Sequence, residues 1–261
     1  MNLELKGKRA IVCGSTQGIG RAIAIELALL GADITLMARN EVKLKATQKE
    51  LPSLHGQRHE YLIADFNFHE QLKSTIQDYA KNILVHILVN NTGGPPAGQA
   101  IDAKAEEFLS AFSAHLLCNQ ILVQALAPGM KKAGFGRVIN IISTSVKIPI
   151  RGLGVSNTIR GAVANWSKTL SVELAPYGIT VNNVLPCATM TGRLEEVIKN
   201  ISEKTGKSFD EVKQEMVKEI PAGRFSEPHE IAAVAAFLAS PAAGYINGIN
   251  IPVDGGSTGS L

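Results

Sequence analysis

The sequence predicts an α/β fold, a doubly wound parallel sheet of the Rossmann type, in a single domain over residues 1–261. Three observations predict it. Short, continuously apolar runs alternate with longer amphipathic stretches, the pattern of strands buried on both faces between helices. A glycine-rich turn, Cys13-Gly-Ser-Thr-Gln-Gly-Ile-Gly20, joins the first apolar run to the first amphipathic one. No linker, composition break or tandem repeat divides the 261 residues, 45% of them hydrophobic, a length and content that one α/β core can absorb.

The elements follow in order. Arg9–Cys13 reads as a buried strand, and Gly20–Leu30 as a helix with Ile23, Leu27 and Leu30 at helical spacing. Ile34–Ala38 is a strand, Glu41–Leu51 a helix, and Tyr61–Ala64 a third strand ending at Asp65. His69–Lys81 is helical, Ile83–Val89 a strand, and Ala105–Lys132 one long helical run. Gly136–Ile142 is a strand, and Ser156–Pro176 a helix with Ile159, Val163, Trp166, Leu170 and Leu174 on one face. Ile179–Leu185 and Ile249–Val253 complete the sheet. Residues 191–221 interrupt this rhythm: they are polar and helical in character, with Leu194, Val197 and Ile201, then Val212, Met216 and Ile220, at helical spacing. An excursion at a strand's carboxyl end overhangs the ligand crevice of a doubly wound fold, so this segment reads as a mobile lid over a substrate site.

Composition excludes several classes. A net charge of +3, with basic and acidic residues interleaved, does not make a nucleic-acid surface. The longest strongly apolar stretch, Ile231–Ala239, is far short of the ~20 residues of a membrane span. The charged segment Met1–Lys8 has no apolar core of a secretory signal. Cys13, Cys118 and Cys187 are far apart and odd in number, which argues against a disulfide framework and for a cytoplasmic protein. His115 and Cys118 share a helix-compatible spacing, but two ligands do not make a metal site, and none is expected.

The glycine-rich turn carries the first chemistry. Gly14, Gly18 and Gly20 let the backbone turn tightly, approach a pyrophosphate and pack the helix on the sheet, while the helix N-terminus offers its N–H groups to the phosphates. With it stand Ala64-Asp65, Asn90-Asn91-Thr92-Gly93, Arg137-Val-Ile-Asn-Ile-Ile-Ser143, Gly178-Ile-Thr-Val-Asn-Asn-Val-Leu-Pro186, Ile220-Pro-Ala-Gly-Arg-Phe-Ser-Glu-Pro228 and Val253-Asp-Gly-Gly256. On these segments the chain resembles the short-chain dehydrogenase/reductases almost end to end, and the last two segments most resemble the β-ketoacyl-acyl-carrier-protein reductases. The resemblance implies a nicotinamide dinucleotide held by Gly14, Ser15, Gln17, Gly18, Ile19 and Gly20, with Asp65 and Phe66 at the adenine and Asn91 and Gly93 along the ribose. Thr191 resembles the threonine that contacts the carboxamide, with Thr189 close enough to be an alternative. At the end of the second strand, Arg39-Asn40 replaces the acid that would bind a free 2′-hydroxyl, which favours NADP(H) while leaving NAD(H) possible. The resemblance also implies a homotetramer or homodimer.

The catalytic set departs from the family pattern, which uses an Asn, a Ser and a Tyr-x-x-x-Lys pair. Ser143 is in place, but Ser156 stands for the Tyr, Arg160 for the Lys and His115 for the Asn. None of Tyr61, Tyr79, Tyr177 and Tyr245 is followed by a lysine four residues on. Ser156 and Arg160 lie one turn apart on a helix face, so Arg160 can hold ribose hydroxyls but cannot release a proton near neutrality. A serine and an arginine there also suit a helix cap and a structural ion pair. The proton then comes from Lys147, from His115, which ordinarily titrates near neutrality, or from a water positioned by Ser156. The expected function is NADP(H)-dependent hydride transfer between the nicotinamide and a small carbonyl or alcohol substrate. The alternative is a dinucleotide-binding sensor or assembly partner without hydride transfer.

Overall fold

The computed structural model describes residues 1–260. Strands β1 (Arg9–Cys13), β2 (Asp33–Ala38), β3 (Glu60–Ile63), β4 (Ile87–Asn90), β5 (Gly136–Ile141), β6 (Ile179–Pro186) and β7 (Asn250–Val253) form one parallel sheet, ordered β3-β2-β1-β4-β5-β6-β7. The winding reverses between β1 and β4, so the ligand crevice opens beyond the carboxyl ends of these two strands.

Alternation along each strand explains why both faces are apolar. Ala10 and Val12 of β1, Ile87 and Val89 of β4, and Ile139 and Ile141 of β5 enter one core. There they meet Ile23 and Leu27 of α1 (Gly18–Leu29), Leu44 of α2 (Glu41–Glu50) and Ile231 and Leu238 of α9 (Pro228–Ala239). The intervening residues Ile11, Cys13, Leu88 and Val138 face the other side. They pack on Leu72 and Ile76 of α3 (His69–Asn82), Leu122 and Met130 of α5 (Cys118–Ala133) and Leu174 of α6 (Gly154–Leu174). Each such large apolar side chain contributes about 1.5–3 kcal/mol by leaving water.

Three elements differ from the sequence expectation. The run expected over 105–132 is broken into α4 (Ala105–Phe112), a π turn at Ser113–Leu117, and α5. By length and apolarity the whole run 105–133 could cross a bilayer, with a mean hydropathy of 1.3 over its most apolar window. Its Ile121, Leu122, Leu126 and Met130 are instead buried against the sheet. Helix α6 starts at Gly154 with Leu153 in the capping position, so Ser156 lies inside its first turn and is not the cap. The lid segment is two helices, α7 (Gly192–Thr205) and α8 (Phe209–Lys218), each with a hydroxyl cap: Thr191 accepts from the Leu194 amide and Ser208 from the Glu211 amide. Leu194, Ile198, Val212, Ile220 and Phe225 form a small core of their own within this part of the chain.

A row of asparagines, buried at Asn90, Asn140 and Asn183 and half-buried at Asn250, crosses four adjacent strands. The Asn90 amide donates to Asn140 Oδ1 at 2.8 Å, Asn140 to Asn183 Oδ1 at 2.9 Å, and Asn183 to Asn250 Oδ1 at 2.7 Å. Each pair is directly in register, so the row closes only when β4, β5, β6 and β7 are correctly aligned.

Candidate active site

The floor of the crevice is built from the two strand ends at the reversal. Asn91, just past β4, donates its amide to the carbonyls of Cys13 and Gly14 at 3.2 and 3.3 Å, tying the two strand ends together. Gly14 and Gly18 adopt left-handed backbone with φ of +59° and +53°. A Cβ on Gly20 would collide with the Gly14 carbonyl and the Asn91 amide, so the turn tolerates no side chain there. Helix α1 opens after Gln17 with no side-chain cap, leaving its first N–H groups to whatever lies in the crevice. This cradle of backbone donors at a helix N-terminus fits the pyrophosphate of the dinucleotide that the sequence implies.

Not every expected cofactor residue faces this cradle. Ser15 is fully buried, its hydroxyl accepting from the Met37 amide at 3.1 Å, and Ile19 packs on the core. Their side chains are turned away from the cradle, into the protein. Gln17 and Arg39 are exposed at the mouth. Asn40 caps α2, its side chain accepting from the Lys43 amide at 3.0 Å. Asp65 turns its carboxylate to the Asn67 amide, and the Phe66 carbonyl accepts from the Cys118 thiol. Thr189 is buried, donating to the Cys187 carbonyl and accepting from Ser226, whereas Thr191 reaches the cradle: a methyl on Gly18 would lie 3.1 Å from the Thr191 methyl. Cys187, beside Thr189, adopts no positive φ.

The positions expected to be catalytic lie just past β5, on α6 and in the π turn. Ser143 follows β5 and starts a 3-10 turn over Thr144–Val146, which Lys147 closes. The Ser143 oxygen accepts from the Ser145 amide at 3.1 Å, so its own proton remains for another acceptor. Arg160, on α6, is only 7% exposed, and no carboxylate pairs with it among the described residues. The ion pair that would have made it structural is absent there. Its Nη1 donates to the Ile141 carbonyl at 3.1 Å, while its Nε is buried without a partner. Burial pushes its pKa down to about 10, which still leaves a full positive charge at neutrality. Nη2 lies toward Gly94, in the loop that follows β4.

His115 sits inside the π turn, 3% exposed, and burial with the nearby Arg160 charge pushes its pKa from 6.5 down to about 3, which favours the neutral imidazole at physiological pH. Its Nδ1 lies 2.6 Å from the Thr92 hydroxyl, a partner absent from the sequence reading. Thr92 was visible inside the Asn90–Gly93 segment, but only the fold brings it against a residue 23 positions away.

Two contacts close the walls. Gly98 and Gly152–Gly154 exchange backbone hydrogen bonds of 2.7 and 2.9 Å, joining the loop after β4 to the loop after Ser143. On the lid, Arg193 donates to the Pro95 carbonyl at 3.3 Å. The lid stem is anchored by the Met190 amide to the Ser226 carbonyl and the Ser226 amide to the Ala188 carbonyl.

A family model described as enoyl-(acyl carrier protein) reductase matches residues 14–258, nearly the whole chain and every wall of this crevice. The chain belongs to this family of short-chain dehydrogenase/reductases. Haemophilus influenzae 3-oxoacyl-[acyl-carrier-protein] reductase FabG is 35% identical over 254 residues, covering 97% of this chain and 98% of that protein. The NADPH-dependent reductase BacG of Bacillus subtilis is 28% identical over 256 residues, covering 97% and 99%. Among solved structures, the L-sorbose reductase of Gluconobacter frateurii complexed with NADPH and L-sorbose has a TM-score of 0.93 at 29% identity, covering all of both chains. This short-chain dehydrogenase/reductase is accordingly an oxidoreductase that works by hydride transfer, and a pure sensor role is not favoured.

Proposed function

We propose that this short-chain dehydrogenase/reductase reduces a small carbonyl compound with NADPH, using a catalytic set in which a fixed cation replaces the family's Tyr-Lys pair. The observation that carries the reading is Arg160: a buried guanidinium with no carboxylate partner among the described residues, one helical turn from Ser156 and beneath the crevice. Such a charge is costly unless an electron-rich group comes to it. When bound, the reduced nicotinamide supplies the hydride.

The chain's residues do the rest. The Gly14–Gly20 turn and the uncapped start of α1 hold the pyrophosphate, and Thr191 flanks the nicotinamide side. Arg39, with no acid beside it at the end of β2, receives the 2′-phosphate of NADP(H), a preference matched in the names of BacG and the sorbose reductase. Asp65 and Phe66 lie at the adenine, Asn91 and Gly93 along the ribose. Ser143, its oxygen already engaged by the Ser145 amide, donates a hydrogen bond to the reacting oxygen and keeps its proton. Arg160 stabilises the negative charge that develops on that oxygen and holds the ribose hydroxyls. His115, being neutral, contributes a hydrogen bond and no net proton. Water held at Ser156 delivers the proton after hydride arrives. The domain spans residues 1–261 with its lid at 191–221, and the protein works in the cytoplasm as a homotetramer or homodimer.

Ser143→Ala tests the reading. The expected result is a loss of kcat on the order of 10²-fold, as for removal of one oxyanion donor, with NADPH affinity unchanged. Unchanged carbonyl reduction by the variant would defeat it.

A further inference from the structure

Thr92 occupies the loop that leaves β4 into the crevice, and its hydroxyl has a single hydrogen-bond partner among the described residues: His115 Nδ1, at 2.6 Å. His115 is fixed from below by the π turn, at Ser113–Leu117, whose widened backbone carries the ring inward to 3% exposure. The hydroxyl and the ring are thus immobilised by different elements, and their contact is at the short end of hydrogen-bond distances.

We propose that Thr92 is a positioning residue that sets the tautomer of His115, donating its hydroxyl proton to Nδ1 so that the ring carries its one N–H on Nε2. Either atom can be the donor at this contact. Thr92 is half-buried, so its hydroxyl keeps access to water whichever way it turns. Donation to Nδ1 leaves the imidazole with one N–H, on Nε2. Neutrality of the ring is what makes the choice matter, because a protonated imidazole would donate from both nitrogens. Arg160 is the charged group that acts on His115, and its positive charge opposes a second proton on the ring. The residue that stands in the family's asparagine position therefore remains a hydrogen-bond donor, but only as long as Thr92 holds the other nitrogen. This inference rests on the proposed role of His115 at the crevice.

The test is long-range ¹H–¹⁵N correlation spectroscopy on the full chain labelled at histidine, at pH 7, with the His115 signals assigned by their disappearance in His115→Asn. The wild-type protein is expected to show a single Nε2–H tautomer for His115. Thr92→Val, nearly isosteric, is expected to populate the Nδ1–H form and lower kcat about tenfold with KM for NADPH unchanged, the scale of one neutral hydrogen bond. Thr92→Ser is expected to restore both the tautomer and the rate. An Nδ1–H tautomer in the wild type, or the same Nε2–H tautomer in Thr92→Val, would overturn the assignment. A different result separates the two claims: the predicted tautomer shift with undiminished turnover in His115→Leu, which removes the donor, upholds the role of Thr92 and defeats the catalytic reading of His115.

Discussion

At the scale of single residues, the decisive feature is charge without a partner. His115 is kept neutral by burial and by Arg160, and the sign of the consequence can be worked out. Its folded pKa, about 3, lies below its ordinary 6.5, so between these values the unfolded chain binds the extra proton and the native state does not. Its contribution to stability is therefore complete above pH 6.5 and falls as the pH drops toward 3. The slope approaches about 1.4 kcal/mol per pH unit in the middle of that window. His115→Asn is expected to flatten this part of the acid limb in a denaturant titration. An acid limb equally steep in the variant would show that another group is responsible. The departures expected at 115, 156 and 160 are readings of spacing from Ser143 alone. Spacing does not reveal the surroundings of His115, which sits in a π turn, beside the Arg160 charge and against Thr92, 23 residues away. Nor did it separate Thr189 from Thr191, since both lie near the crevice in sequence and only packing buries the first.

Among the elements, the strands were the most legible. Each is apolar at consecutive positions because helices cover both sheet faces, and such runs are short enough to exclude helices. The breaks were not legible. The segment Ser113-Ala-His-Leu-Leu117 contains no glycine or proline to announce a π turn, and Leu153 has no side chain that caps α6. The asparagine row was equally hidden, because polar residues in separate strands become partners only once the register is known. Its energetic weight is testable. Asn140 contributes both an acceptor to Asn90 and a donor to Asn183, in the fully buried middle of the sheet. Asn140→Val would leave two buried polar groups unsatisfied, at about 1–3 kcal/mol each, or roughly 2–6 kcal/mol together. The expected result is a lower urea midpoint with an unchanged m-value. A midpoint within error of the wild type would mean that water replaces the row without cost.

For the molecule as a whole, the cost of Arg160 links stability to ligand. Arg160→Met removes a buried charge and keeps most of the volume, so the ligand-free variant is expected to melt at the same temperature as the wild type or above it. Saturating NADPH should raise the wild-type midpoint, by up to about 2.7 kcal/mol of stability at a hundredfold excess over Kd, and raise the variant's much less. Equal NADPH-induced shifts in the two proteins would remove Arg160 from the binding site. The lid has a different relation to the rest of the fold. Leu194, Ile198, Val212, Ile220 and Phe225 satisfy one another, and the stem is fastened by paired backbone at 188–190 and 226. Little of the sheet's core depends on these side chains, so sequence can drift in the lid without being penalised by misfolding. On the proposed reading, the part of the enzyme that would meet the substrate can change without cost to the sheet, while the turn that would meet the cofactor is held to its glycines.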